Sequence, residues 1–310
     1  MKLISRETFG PVTDWQVFVE AIDAGLALPR AEVEDVFLGP PTQTLLSRVA
    51  RIEGIGFGVK SVTVIADNSQ RDLPSVQGGM IVFDERTGTP TALIASALIT
   101  DIKPAADSAL GACYLSRSDA RHMVVLGAGS VAGNVIAAYG QMFPGLERFT
   151  LWNRTHSKAE ALAETLRGKG LSVSTSKDLA DTVAQADIVT CATMSIDPIL
   201  QGQWLRPGTH VDLIGAYRAD MREADDDVLT SGVIYVDSRD TTVGHIGELK
   251  IPLATGLITE ADILADLYQL KAEGPALRRP ETITVFKNGG GAHLDLMIAN
   301  AILQLEESKQ

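Results

Sequence analysis

The sequence predicts an α/β protein: a doubly wound parallel sheet joined to a second, mixed α/β domain. Three observations carry that prediction. From His122 onward, short apolar runs alternate with helical patterns, which is the rhythm of a parallel sheet covered on both faces. The turn Gly127-Ala128-Gly129 sits between the apolar run 123–126 and a helical segment. Before His122 the strand patterns come as a hairpin, without that rhythm.

The elements follow in order. Residues 14–26 place Trp15, Val19 and Ile22 on one helical face. Residues 55–66, rich in glycine and β-branched side chains, read as strand. Residues 79–84 and 91–97 read as a hairpin about the turn 84–88. Residues 101–115 read as helix, with Pro104 tolerated only in its first turn. The alternation then runs strand 123–126, helix 130–139, strand 149–152, helix 157–167, strand 172–175 and helix 179–185. Strands 188–192, 210–214 and 233–237, helix 258–272 and strand 282–286 continue it. Gly289-Gly290-Gly291 is a turn before a last helix, 292–306. That helix is expected to pack back on the first domain. The domains are therefore read as residues 1–115 with 290–310, and 116–289.

A chain of 310 residues suits two domains and a core that needs neither disulfide nor metal. A formal net charge of −12 argues against nucleic acid and anionic membranes as partners. Cys113 and Cys191 lie in apolar surroundings and read as buried thiols. No close cysteine–histidine cluster suggests zinc, so no metal is expected. No apolar run is long enough to span a bilayer, and the first residues lack the apolar stretch of a signal peptide; a cytoplasmic location is expected.

Strand, glycine turn, helix and second strand make the unit that sets a dinucleotide pyrophosphate on a helix N-terminus. Gly127 permits the tight turn, Gly129 lets the backbone approach a phosphate, and Ala132 is the small residue that lets helix and strand pack closely. Gly127, Ala128, Gly129, Ser130 and Val131 are thus candidate cofactor residues. The second strand ends in Asn153-Arg154-Thr155, with Lys158 soon after. An NAD site usually offers an acid there to the ribose 2′-hydroxyl. Here nothing repels a 2′-phosphate, and Arg154 can grip one. NADP(H) is the expected cofactor, with NAD(H) possible; the plainer alternative is that Arg154 and Lys158 only open the next helix. Thr193 and Met194 follow strand 188–192, where the nicotinamide end of a dinucleotide belongs.

Beyond the glycine loop, the chain carries Gly58-Val59-Lys60, LPSVQG at 73–78, VFDERTGTPTALI at 82–94 and LITDIKPAADSALGA at 98–112. It also carries Trp152-Asn153-Arg154-Thr155, DMREADDDVL at 220–229, YVDSR at 235–239 and TVFKNGGGAHLD at 284–295. With these segments the chain resembles the ornithine cyclodeaminase/μ-crystallin family over nearly its whole length. The resemblance implies a Rossmann domain beside a second α/β domain, built from the N-terminal part and the extreme C-terminus, that binds substrate and forms a homodimer. It makes Lys60 the candidate catalytic residue, near the carboxylate and reacting nitrogen of the substrate. Lys103-Pro104 stands where the family usually shows an arginine that forks onto that carboxylate. A lysine keeps the charge and loses the fork, so Arg71 or Arg30 is a candidate to share the work. Gln77 takes a place that faces the pocket in the family. Tyr217 stands, in an ungapped alignment, where ornithine cyclodeaminases carry an aspartate, with Asp220 nearby.

These residues imply NADPH-dependent reduction of a cyclic α-imino acid. Δ1-Pyrroline-2-carboxylate, giving proline, is the leading substrate, and Δ1-piperideine-2-carboxylate, giving pipecolate, is next. The alternatives are an ornithine cyclodeaminase with bound NAD, an amino-acid dehydrogenase, or a ligand-binding protein of the μ-crystallin kind.

Overall fold

Strands that cover only one face must alternate in character, and those of the first hundred residues do. They are β1 (Lys2–Ile4), β2 (Glu32–Leu38), β3 (Gln43–Ile52), β4 (Gly56–Ile65), β5 (Val76–Phe83) and β6 (Pro90–Ala95). The computed structural model, which describes residues 1–40, 42–277, 279 and 281–309, assembles them in the order β1-β6-β5-β4-β3-β2. All neighbours are antiparallel except β1 and β6. Helix Ala292–Ser308 lies against β3 and β4, and Gly58 leaves the room that Met80 and Leu296 fill.

The middle of the chain forms a second sheet. Its strands are β7 (His122–Leu126), β8 (Arg148–Trp152), β9 (Val173–Thr175), β10 (Ile188–Cys191), β11 (His210–Leu213), β12 (Gly232–Val236), β13 (Ile263–Asp266) and β14 (Ile283–Lys287). The order is β13-β12-β14-β11-β10-β7-β8-β9, and every pair is parallel. The strands β7, β10, β11 and β14 are buried along their whole length, as a sheet covered on both faces requires. The chain winds outward from β7 through β8 and β9, then returns to start again at β10. The carboxyl ends of β7 and β10 therefore flank a topological switch point, where ligands bind in open α/β sheets.

The fold class is the one the sequence predicts, with four corrections. The chain divides into Met1–Lys103 with Gly291–Gln310, and Pro104–Gly290, so the break falls at residue 103 and not at 115. It lies inside a helix, because Ser96–Leu115 runs on directly from β6 and Pro104 is an interior residue of it, not a first-turn one. The expected helix 258–272 is instead β13 followed by Leu267–Glu273. Asp266 ends the strand and caps the helix: its carboxylate accepts from Gln269 N at 3.0 Å while Gln269 Oε1 accepts from Asp266 N at 3.0 Å. Cys113 is exposed, on the outer side of its helix, while Cys191 is buried. The acidic β2, with Glu32, Glu34 and Asp35, and its partner β3 form a hairpin that the apolar pattern did not reveal.

Gly111 touches the ring of Phe286, to which an added Cβ would come within 2.7 Å. Phe286 is fully buried in β14 and has nowhere to retreat. Gly111→Val should therefore lose about 1–3 kcal/mol to overpacking, against a gain of no more than about 0.5 kcal/mol from removing a helical glycine. A lower urea midpoint is the expected result, and an unchanged or raised midpoint would contradict this packing.

Candidate active site

The switch point is built as a cradle. Gly127 has φ +122°, and its N–H donates to Trp152 O at 2.8 Å. A Cβ at this position would stand 2.4 Å from Ala192 O, so only glycine allows β7 and β10 to meet here. Gly129 is the N-cap of helix Ser130–Met142, and nothing lies within 4 Å of where its Cβ would be. Bare amides, an open approach and the positive end of a helix dipole fit a pyrophosphate.

A groove of about 350 Å³ opens from this cradle. Gly127, Ala128, Gly129, Asn153, Arg154, Thr155, Lys158, Thr193 and Met194 all line it. Ser130 and Val131 begin the adjoining helix without lining the groove. Asn153 turns its amide inward, donating to Thr155 O at 2.9 Å, and so shapes the loop. Arg154 and Lys158 are exposed, and among the described residues neither pairs with a carboxylate. Two cations at one wall, without an acid between them, suit an anionic ligand group. Ser195 and Ile199 also belong to the wall.

Tyr217 is exposed in the loop after β11. Asp220 does not act as a free acid beside it: Arg218 holds its carboxylate with two bonds of 2.8 and 2.9 Å.

In the other unit, Lys60 sits on β4 opposite Arg48 of β3 and Met80 of β5. Its ammonium lies 2.6 Å from the buried carboxylate of Asp295, on helix Ala292–Ser308. Burial pulls the Lys60 pKa below the ordinary lysine value, and the Asp295 charge opposes that pull. The positive charges of Arg48 and Lys103 add to the lowering. Lys103 is itself buried. Arg48 is held by Asp35 through Nε at 3.0 Å and Nη2 at 2.8 Å. Lys60, Arg48 and Lys103 thus lie near one another, with Asp295 beside Lys60 and Asp35 beside Arg48. The sequence reading missed Arg48; its alternation with Lys60 becomes visible only once β3 is paired with β4.

The structure does not bring the other expected substrate residues into that cluster. Gln77 pairs with Thr63, three positions along from Met80, and strand alternation turns it to the opposite face from Lys60. Arg71 is exposed at the end of the 3₁₀ turn Ala66–Arg71, and Arg30 is exposed before β2. Among the described residues no three His, Cys, Asp or Glu side chains gather as a metal set, and no helix is long and apolar enough to cross a membrane.

Known proteins share this fold. A model of the ornithine cyclodeaminase/mu-crystallin family matches residues 50–310. A protein of Paracoccus denitrificans (strain Pd 1222) named Delta(1)-pyrroline-2-carboxylate reductase is 52% identical over 292 residues, 94% of this chain and 92% of that one. The ketimine reductase mu-crystallin of Mus musculus is 32% identical over 243 residues, 78% of this chain and 74% of its own. The solved structure of Thermococcus litoralis Delta(1)-pyrroline-2-carboxylate reductase, in complex with NADH and L-proline, matches with a TM-score of 0.91 at 26% identity. It covers 100% of this chain and 98% of that chain. The chain therefore belongs to the ornithine cyclodeaminase/mu-crystallin family.

Proposed function

We propose that the protein reduces the C=N bond of a cyclic α-imino acid with NADPH. Δ1-Pyrroline-2-carboxylate, giving proline, is the leading substrate, and Δ1-piperideine-2-carboxylate, giving pipecolate, is next. The chain is an oxidoreductase acting on C=N bonds with a nicotinamide cofactor. The observation that carries the finer reading is the gathering of three cations, Lys60, Arg48 and Lys103, about one largely buried ammonium, in a protein with a glycine cradle. Kinship to a protein named for pyrroline-2-carboxylate reduction supports it.

In this reading Lys103 and Lys60 take the substrate carboxylate. Lys60, as an ammonium, keeps the imine nitrogen protonated, which makes the neighbouring carbon electrophilic. Arg154 and Lys158 hold the 2′-phosphate, and the amides of the cradle hold the pyrophosphate. When bound, the nicotinamide supplies a hydride to the imine carbon. Holding both centres in line supplies much of the rate. A homodimer completes the reading: Phe37 and Leu38 of β2 are exposed and would be covered by a partner subunit. Sedimentation at micromolar concentration should show a dimer, and a monomer throughout would remove that part.

A panel of cyclic imines followed by NADPH loss should show turnover of the five- or six-membered α-imino acid; silence with every imine would end the proposal. Lys60→Met should abolish that turnover. The pH dependence has a defined sign. Lys60 works protonated, so activity falls as pH rises through its lowered pKa. Asp295 raises that pKa, so Asp295→Asn should move the alkaline limb to lower pH. A limb that stays put, or moves upward, would clear Lys60 of the proton role. KM for NADPH should lie below that for NADH. Arg154→Ser should raise the NADPH value about ten- to hundredfold, the worth of a charged hydrogen bond, and leave NADH nearly unchanged. Equal effects on both cofactors would count against a 2′-phosphate site.

A further inference from the structure

Glu223 is fully buried, outside the groove, and no step of the reaction above uses it. Its carboxylate joins two loops. Oε1 accepts from Thr193 N at 2.7 Å and from Thr193 Oγ1 at 2.8 Å. Oε2 accepts from Gly215 N at 2.6 Å and from Ala216 N at 3.2 Å. Thr193 and Gly215 each lie two residues past the end of a strand, β10 and β11. The loops touch so closely that a Cβ on Gly215 would fall 1.9 Å from Thr193 O. Thr193 Oγ1 in turn accepts from Ser195 N at 3.3 Å, which extends the tie along the groove wall.

Glu223 is fixed from behind. Its own N–H donates to Glu248 Oε2 at 2.7 Å, and its carbonyl accepts from Ile199 N and Leu200 N at 2.8 and 2.9 Å. Only a carboxylate can accept at both oxygens from donors on two loops. A glutamine would set an NH₂ group against N–H donors.

We propose that Glu223 is a positioning residue for the cofactor: it sets the Thr193–Ser195 wall of the groove, and with it the nicotinamide end of the bound dinucleotide. This rests on the reading of the groove as a dinucleotide site. The adenine end lies with Arg154 and Lys158, which Glu223 does not touch, so the two halves of the cofactor respond differently to its loss.

The test is calorimetric binding of NADPH and of adenosine 2′,5′-bisphosphate, which carries the adenine half alone, to wild-type protein, Glu223→Gln and Thr193→Val. Thr193→Val deletes one donor to Oε1 while keeping the side-chain shape, and serves if the buried Glu223 variant folds poorly. In both variants NADPH should bind about ten- to hundredfold more weakly, the effect of leaving a buried polar group without its partner, with the bisphosphate unchanged. Turnover should show the same bias, with KM for NADPH rising and kcat falling through misalignment. Equal loss of both ligands, or loss of neither, would overturn the proposal. Wild-type protein that bound neither would overturn the dinucleotide reading first.

Discussion

The carboxyl edge of the parallel sheet depends on one buried cation. Lys287 ends β14, is fully buried, and donates from Nζ to Leu213 O at 2.9 Å, Ala216 O at 2.8 Å and Asn288 O at 3.0 Å. An ammonium in that position loses its hydration, and burial pulls its pKa down. The charges of Glu223, Glu248, Asp237 and Asp212 oppose the pull. Burial pushes the Glu223 carboxyl up to about 7 against the lysine charge and the Thr193 donors, and pushes Glu248 up as well. Removing Lys287 would take a donor from three carbonyls and leave buried carboxylates without this counter-charge, the costly way to break a buried ionic cluster. Polar bonds to buried charges thus join the loops around the cradle, beside the small apolar cluster of Ala216, Met221 and Ile246.

The two units handle buried charge in opposite ways. Around Lys287 the surplus is negative, and backbone amides neutralise it: Glu223 and Glu248 both accept main-chain N–H groups. Such a cluster is complete in itself and serves as a clamp. Around Lys60 side-chain carboxylates do this work instead, Asp295 meeting Lys60 and Asp35 meeting Arg48.

The cradle was legible in the sequence because its causes are local. Gly127, Gly129 and Arg154 follow one another along one βαβ unit, and each has a steric or electrostatic reason to be where it is. Lys60 was legible only through a motif; nothing in its spacing announced Asp295, which lies on the last helix. Glu223, Glu248 and Lys287 stood in or near conspicuous segments, yet their meeting is set by the order of β10, β11 and β14, which no local pattern encodes. The helix expected across β13 failed for a different reason. The local signal was there: Asp266 and Gln269 form a capping box, which marks a helix start in the middle of the apolar run. Gln77 shows the limit of a motif: it was expected to face the pocket, and the strand register turns it away from Lys60.

Pro104 lies inside helix Ser96–Leu115, at the point where the two compact units follow one another in sequence. It has no N–H, and its ring crowds the carbonyl four residues back, so the helical ladder is weakest there. The residues after it belong firmly to the parallel sheet. Ser108 Oγ donates to Asp212 Oδ1 at 2.9 Å, and Tyr139 Oη donates to Asp212 Oδ2 at 3.1 Å and to Ser108 O at 3.0 Å. Asn288 reaches back to Pro104 O and Ser108 Oγ, at 3.1 and 3.0 Å. Burial raises the Asp212 carboxyl to about 7, while the hydroxyls of Ser108, Tyr139 and Thr190 favour its charged form. The helix is thus pinned to the sheet by polar bonds from Pro104 onward. Asn288 therefore has two tasks: it anchors this helix, and its carbonyl receives Lys287. One buried polar network thus ties this helix to the carboxyl edge of the sheet.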